Sequence, residues 1–372
     1  MSDQEAEVLA RAKEAASEKP RYSQEQLDEI VGEHERFLRH QSGAVRAILR
    51  FVQLPGRDII KRNLAESDLT GCNLEGARLV LTNFERASLF CANLRMVDAR
   101  AVNFRRADMR GVSLRGANLT GALLDEADFR AAVLARSGAE GFRVVARTDP
   151  GDNVVHGVDF SNCSMKNARL AGANLKGANF SGALLHDADF KGARLDDACF
   201  DGAILTGVRL EDMRIDPARL KTCVLDPSPE ARLRTSELMS RLQDARQWVA
   251  TDGRYGRPAV LDGEDLRPLG EALTKAELTA LSAQNARAVG VNFSSSQLQG
   301  ARFDGADLRD ADFRGADVRG ASFSGANLAH ADFRNADLRP LPLKEGGVRA
   351  SDLTGANLAR TLFSSAQASA AA

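Results

Sequence analysis

Residues 291–340 read in fives as VNFSS, SQLQG, ARFDG, ADLRD, ADFRG, ADVRG, ASFSG, ANLAH, ADFRN and ADLRP. The central position of each unit, i, holds Phe293, Leu298, Phe303, Leu308, Phe313, Val318, Phe323, Leu328, Phe333 and Leu338. Position i−2 is alanine from Ala301 through Ala336, in eight consecutive units. A period of five is neither the 3.6 of a helix nor the 2 of a long strand, so no single regular element can bury it. The chain must turn a corner every five residues.

Within a unit, i−2 and i lie on one side of an extended segment and i−1 on the other. Alanine and the large residue therefore face inward, and Asp, Asn or Ser faces outward. Position i+2 is Gly300, Gly305, Gly315, Gly320 or Gly325, or else Asp310, His330 or Asn335, residue types that tolerate positive φ at a bend. Phe293, Phe313 and Phe333 stand 20 apart, as do Phe303 and Phe323, which predicts four units per coil with like rings stacked on the same wall.

The A(D/N)(L/F)xx run resembles the pentapeptide-repeat proteins over more than half of the chain. The resemblance implies an all-β solenoid, the right-handed quadrilateral β-helix, here in two parts with helical capping and linker segments. For function it implies binding rather than any one activity. Repeat architectures need stacked neighbours and capped ends.

Working outward gives the following organisation. A helical N-terminal lid is expected over 1–56, a first solenoid over 57–225, a helical lid or linker over 226–290, a second solenoid over 291–363 and a disordered tail over 364–372. In the lid, residues 1–19 read as a frayed or disordered arm, Ser23 with Gln26 forms a capping box, and 44–52 reads as a second short helix. In the first solenoid, i runs from Leu64 to Leu134 and from Phe160 to Leu225, with Ala99 undersized and a bulge expected beside it. Between the blocks, 135–157 breaks the pattern and shifts the frame by one. Val144-Val145 and Val154-Val155 flank Asp149-Pro150-Gly151-Asp152-Asn153, which predicts a projecting hairpin or loop turning there. Those five residues are the candidate partner-binding loop, since an insertion on a rigid scaffold often carries function, with a merely tolerated insertion as the competing reading. In the linker, 230–250 reads as a helix repeating the N-terminal plan, with Trp248 expected over phenylalanine rings. The stretch 271–286 reads as a second helix. Leu343 and Val348 keep the five-residue step to Leu353, Leu358 and Phe363.

The chain carries 50 basic and 51 acidic side chains in 372 residues. That balance argues against a general nucleic-acid or membrane-surface binder. No run of 18 apolar residues and no signal segment occurs, so a cytoplasmic, bacterial setting is the expectation. The cysteines are five, Cys72, Cys91, Cys163, Cys199 and Cys223, without a CxxC pair; Cys72, Cys163 and Cys223 fall on i−2, where a thiol replaces alanine. His34-Glu35 begins a metalloprotease-like string, but the next histidine is His40, two positions too far. No catalytic, cofactor or metal site is assigned, and no enzyme is expected.

The remaining constellation is acidic: Asp307, Asp312, Asp317, Asp332 and Asp337 occupy i−1. Some pentapeptide-repeat proteins mimic duplex DNA toward a type II topoisomerase, so the resemblance admits a gyrase-directed DNA mimic as the alternative function. Yet Arg309, Arg314, Arg319, Arg334 and Arg339 sit two residues after each carboxylate. Alternating charges cancel beyond about 8–10 Å in physiological salt, whereas a DNA surrogate needs a sustained negative field. The leading expectation is a non-enzymatic scaffold that binds a protein partner through its walls, its loop or its lids. The uncovered coil near Phe363 is a candidate homodimer contact, because it leaves strand edges unpaired.

Overall fold

The structure is a computed structural model that describes residues 20–138, 141–147, 157–343 and 346–364. The expected N-terminal arm, the candidate loop 149–153 and nearly all of the tail lie outside the described residues. Two compact units divide the chain, Met1–Asp226 and Pro227–Ala372.

Both units are solenoids of five-residue steps. Each step is extended for only a few residues, so pairing between coils takes the form of single parallel bridges between residues 20 apart, such as Asn73 with Asn93 and Asp312 with Asp332. The outward residue donates to the preceding coil and the central residue to the following one: Asp312 N–H to Val291 O at 3.0 Å, Phe313 N–H to Asp332 O at 2.8 Å. A third bond closes each corner, as Ala316 N–H reaches Phe313 O at 3.0 Å. The backbone is thereby satisfied without long strands. Corners take positive φ even where the residue is not glycine, at 57° for Arg86 and 58° for Met96. Gly116 shows why glycine is usual one coil below such a residue: at φ +69°, an added Cβ would run into the Met96 sulfur.

The interior follows the alternation of large and small. Phe293, Phe303, Phe313, Phe323 and Phe333 are fully buried with their alanine partners. Rings one coil apart stack in parallel, Phe293 on Phe313 at 5.0 Å and Phe313 on Phe333 at 4.6 Å. Rings ten residues apart meet edge-on, Phe303 against Phe313 at 5.8 Å and 82°. Both geometries suit the ring quadrupole. At Ala99 no bulge occurs. Asp98 bridges Arg78 and Asn118, and buried Val97 and Val102 supply the missing volume from the neighbouring small positions.

The first unit opens with α1 (Gln24–Leu38), whose N-terminus carries the expected Ser23–Gln26 capping box. The stretch 44–52 is not the predicted helix. Ile48 bridges Asp68, while Ala47, Leu49, Val52 and Leu54 are interior, so the solenoid begins here rather than at 57. Nine residues were too few to separate a five-residue step from a helical one. After Phe129 the chain leaves the coil as β1 (Val133–Gly138) and returns as β2 (Gly141–Arg147). Asn118 then bridges Asp159, 41 residues on. Leu134 thus belongs to a strand, and the hairpin closes at the pair Gly138–Gly141 rather than around residues 149–153. Two glycines flanking a two-residue connection suit that tight turn. The last coil also departs from expectation. α2 (Leu210–Met213) and a 3-10 turn (Pro217–Leu220) replace repeat units, burying Met213 and Leu220, before Val224 bridges Ile204.

The second unit opens with α3 (Pro229–Leu233) and α4 (Thr235–Ala250). Its solenoid starts at Ala259, not 291: Val260 bridges Ser282, Asp265 bridges Arg287, and a 3-10 turn (Arg267–Leu273) takes up the extra two residues. The predicted helix over 271–286 is absent, since Glu277 and Ser282 bridge Gln297 and Arg302. Buried Leu278 and Leu281, three apart, imitated a helical step; Leu281 fills a small position opposite undersized Ala283. Trp248 is half-buried with its indole against Gly253 rather than over phenylalanine rings. Near the end, β3 (Leu341–Pro342) and β4 (Val348–Arg349) form a small hairpin. Ser322 consequently bridges Asp352, 30 residues on. Leu343 and Val348 are exposed, 41% and 66%, rather than interior. An insertion of two unit lengths leaves the frame intact, which is why counting in fives passed through it.

Candidate functional site

Two sets of outward side chains distinguish the walls. In the first unit, asparagines at i−1 form a ladder: Asn73 Nδ2 donates to Gln53 Oε1 at 3.0 Å and Asn93 Nδ2 to Asn73 Oδ1 at 2.9 Å. A parallel column links Asn63, Asn83 and Asn103 at 3.0 and 2.9 Å. These neutral amides bind one another along the axis and present little net charge.

In the second unit each aspartate is clasped by the arginine two residues later. Arg309, Arg314, Arg319, Arg334 and Arg339 each direct Nε and Nη2 at the carboxylate, with the Nη2 contacts at 2.6–2.7 Å. Such forked, charge-assisted pairs are strongly directional. Arginines also reach the next coil, Arg314 to Asp332 at 3.8 Å and Arg319 to Asp337 at 3.7 Å. Burial raises the Asp317 and Asp332 carboxyls, but hydrogen bonds from Arg319 and Arg334 outweigh it and hold both below the ordinary carboxylate value. Arg339 does the same to Asp337, where the hydrogen bond is the largest influence. The aspartate stripe is therefore a lattice of closed ion pairs.

The first unit's lid contains a feature the sequence reading missed. His34 is fully buried; its Nδ1 accepts from Ala47 N–H at 3.1 Å and its Nε2 lies 2.8 Å from Ala65 O. Accepting at Nδ1 fixes the proton on Nε2, so one neutral tautomer ties α1 to two points of the first coil. Burial is the main reason its pKa falls below 6.5. Next to it, Glu35 accepts from Asn63 N–H at 3.0 Å and from Arg62 Nε at 3.0 Å. The Gln24 amide donates to Asp58 O and accepts from Asp58 N–H, at 2.8 and 3.0 Å, standing in for a strand. A spacing rule that looks for metal ligands could not find these caps; the signal was a polar pair on the apolar face of an amphipathic helix.

Among the described residues, no group of His, Cys, Asp and Glu side chains is arranged to hold a metal ion, and no helix is long and apolar enough to cross a membrane. The cysteines are unbridged. Cys72 is buried and its thiol is pushed up to about 12, and Cys163 donates to Leu119 O at 2.9 Å. These are packing roles. The five candidate loop residues, Asp149, Pro150, Gly151, Asp152 and Asn153, lie outside the described residues, and β1–β2 is the described part of that insertion.

No curated protein matches the chain. Among solved structures, HetL, a pentapeptide repeat protein involved in heterocyst differentiation regulation from the cyanobacterium Nostoc sp. strain PCC 7120, is 20% identical, with 88% of this chain and 93% of HetL covered and a TM-score of 0.25. QnrB1, a plasmid-mediated fluoroquinolone resistance protein, is 16% identical in its full-length form, covering 87% of this chain and 87% of its own at a TM-score of 0.17. A pentapeptide repeat protein from the Arabidopsis thaliana thylakoid lumen is 23% identical over 37% of this chain and 68% of its own, with a TM-score of 0.23. A family model for pentapeptide repeats matches residues 67–137, 156–212 and 273–339. These segments cover more than half of the sequence and coincide with the bridged coils, and the chain belongs to the pentapeptide-repeat family.

Proposed function

We propose that this protein is a non-enzymatic scaffold that presents a rigid solenoid surface to a protein partner. Its units are read as the two parts of a right-handed quadrilateral β-helix, a reading supported by bridges 20 residues apart and by five-residue corners. The observation that carries the function is the closure of the wall carboxylates by their own arginines. A wall whose polar groups are already paired keeps its shape, and a preformed surface loses little conformational entropy on association. The β1–β2 insertion adds a projecting element, and the last coil adds a self-association face: Leu353, Leu358 and Phe363 are only partly covered and Leu362 is 46% exposed. A cytoplasmic setting accords with this reading.

The alternative, a DNA-mimicking modulator of gyrase, is less well supported by the same observation. Phosphate mimicry requires uncompensated negative charge, and five of the wall aspartates are neutralised at contact distance. The experiment is affinity capture from the native host with the full chain and with a chain lacking 135–156, followed by titration of the recovered protein in purified form. A saturable partner supports the scaffold; recovery of none by either chain overturns it. Inhibition or protection of purified gyrase in a supercoiling assay at micromolar concentration would instead establish the alternative.

A further inference from the structure

The first coil of a solenoid has no coil above it, so each wall leaves one backbone N–H and one C=O at the edge. In the first unit three of these edges are covered from the lid side. Gln53 N–H donates to Pro20 O at 2.8 Å, Asp58 is paired by the Gln24 amide, and Asn63 N–H donates to the Glu35 carboxylate. The second unit repeats the lid helix in register: buried Leu238, Leu242 and Ala245 of α4 have the spacing of Leu27, Val31 and His34 of α1. In that register Arg246 stands where Glu35 stands, and an arginine cannot accept an N–H.

The edge concerned is at Glu277. Below, it joins the ladder normally, with Leu278 N–H on Gln297 O at 2.8 Å and Gln297 N–H on Ala276 O at 2.9 Å. Above, the Glu277 N–H and C=O have no partner among the described residues. Beside them lies a groove of about 750 Å³ between α4 and the coil. Met239, Leu242, Ala276 and Leu278 give it an apolar side, with Met239 44% exposed. Its charged lining is two cations, Arg246 and Lys275, against the single carboxylate of Glu277, and the Arg246–Glu277 pair is loose at 3.9 Å. The corresponding groove of the first unit, beside Ile48, carries Glu29 and Glu33 against Arg36 and Arg46 and is balanced.

We propose that the Glu277 groove binds an extended acidic peptide of a partner protein. The peptide adds as a strand to the Glu277 edge, sets an apolar side chain against Met239 and places a carboxylate between Arg246 and Lys275. That carboxylate takes up the role that Glu35 plays within the first unit. Strand addition supplies affinity through the main chain, and the cations select acidic sequences. The proposal rests on the reading of the chain as a protein-binding scaffold and names one of its contact sites.

The test uses the full chain and a blocked octapeptide in which valine alternates with glutamate, with counterparts carrying lysine for glutamate or N-methyl groups on alternate amides. The acidic peptide is expected to slow hydrogen exchange at the Glu277 amide without affecting Asn63. The lysine and N-methyl peptides should bind at least tenfold more weakly. The double variant Arg246→Ala, Lys275→Ala should also lose at least tenfold; Arg246 is largely exposed, so its fold is retained. Equal binding of acidic and basic peptides, or binding without protection at Glu277, overturns the proposal. So does concentration-dependent protection of Glu277 without peptide, which would mean a second copy of the chain fills the groove. A native partner whose affinity is unchanged in the double variant overturns the groove and leaves the scaffold standing; peptide binding at Glu277 with no native partner recovered does the reverse.

Discussion

The two units solve the same problem from opposite ends. The first has a mixed interior, where Leu94, Ala99, Met109 and Cys72 fill positions that the second gives to phenylalanine and alanine, and its open edge is closed by Pro20, Gln24, His34 and Glu35. The second has an unbroken aromatic stack, and its first coil is held by helix packing and by Arg234 and Arg241 on Glu264. The contrast teaches that a solenoid end need not be sealed where the coils beneath it stack strongly. An edge left unsealed remains available for pairing.

The largest effect that would test this contrast is in the aromatic column. Phe313→Ala removes a ring stacked on both sides, and should cost about 3–5 kcal/mol. If the units are stabilised separately, denaturant unfolding followed by hydrogen exchange should show the loss in residues 259–364 and leave the first unit's amides unchanged. Leu94→Ala is the mirror experiment, with an expected cost of about 2–5 kcal/mol confined to the first unit. A uniform loss in both would dissolve the comparison.

The next effect is at the lid. His34→Ala leaves Ala47 N–H and Ala65 C=O buried without partners, at about 1–3 kcal/mol. Exchange at the Ala47 amide should accelerate first. The same residue gives the first unit a pH dependence. Because the folded pKa lies below 6.5, the unfolded chain binds the proton more readily, so the contribution is complete above about pH 6.5 and declines as pH falls beneath it. Unfolding at pH 7.5 and pH 5.5 should show a decline in the wild type that His34→Ala lacks. The second unit's buried register position is Ala245, which does not titrate, and no comparable decline is expected there.

Much of this architecture was legible because the repeat writes itself in fives. The four-unit coil followed from phenylalanines 20 apart, and the neutralised wall from arginines two residues after aspartates. What escaped has identifiable physical causes. The stretches 44–52 and 271–286 were too short, or too rich in leucines three apart, to separate a corner-turning step from a helix. The hairpin of β3 and β4 was hidden because its length is a multiple of the period. Ala99 suggested a defect because volume was counted at one position, whereas Val97 and Val102 supply it at two others. The lid caps escaped because a buried histidine or glutamate meets a backbone group whose position no local pattern reports. The orphaned Glu277 edge needed both the ladder and the register of α4, and neither is written in the sequence.

The smallest effect concerns the walls themselves. Asp332 is 17% exposed and Arg334 53%, so the fork between them gains from hydrogen-bond geometry but is partly screened by water. Arg334→Ala should cost about 0.2–1 kcal/mol, less at high salt. The Asp332 carboxyl is held below its ordinary 3.8 despite the opposing influence of burial, so its contribution is complete above about pH 3.8 and declines as pH drops further. That window lies well below the one set by His34, and the two units should therefore lose stability in sequence on acidification, the first unit's lid before the second unit's walls. Amide exchange at pH 7, 5.5 and 3.5 separates these steps. If Asp332 and Ala47 respond together, the two units do not carry separate electrostatic ties, and the wall pairs act as one network with the lid.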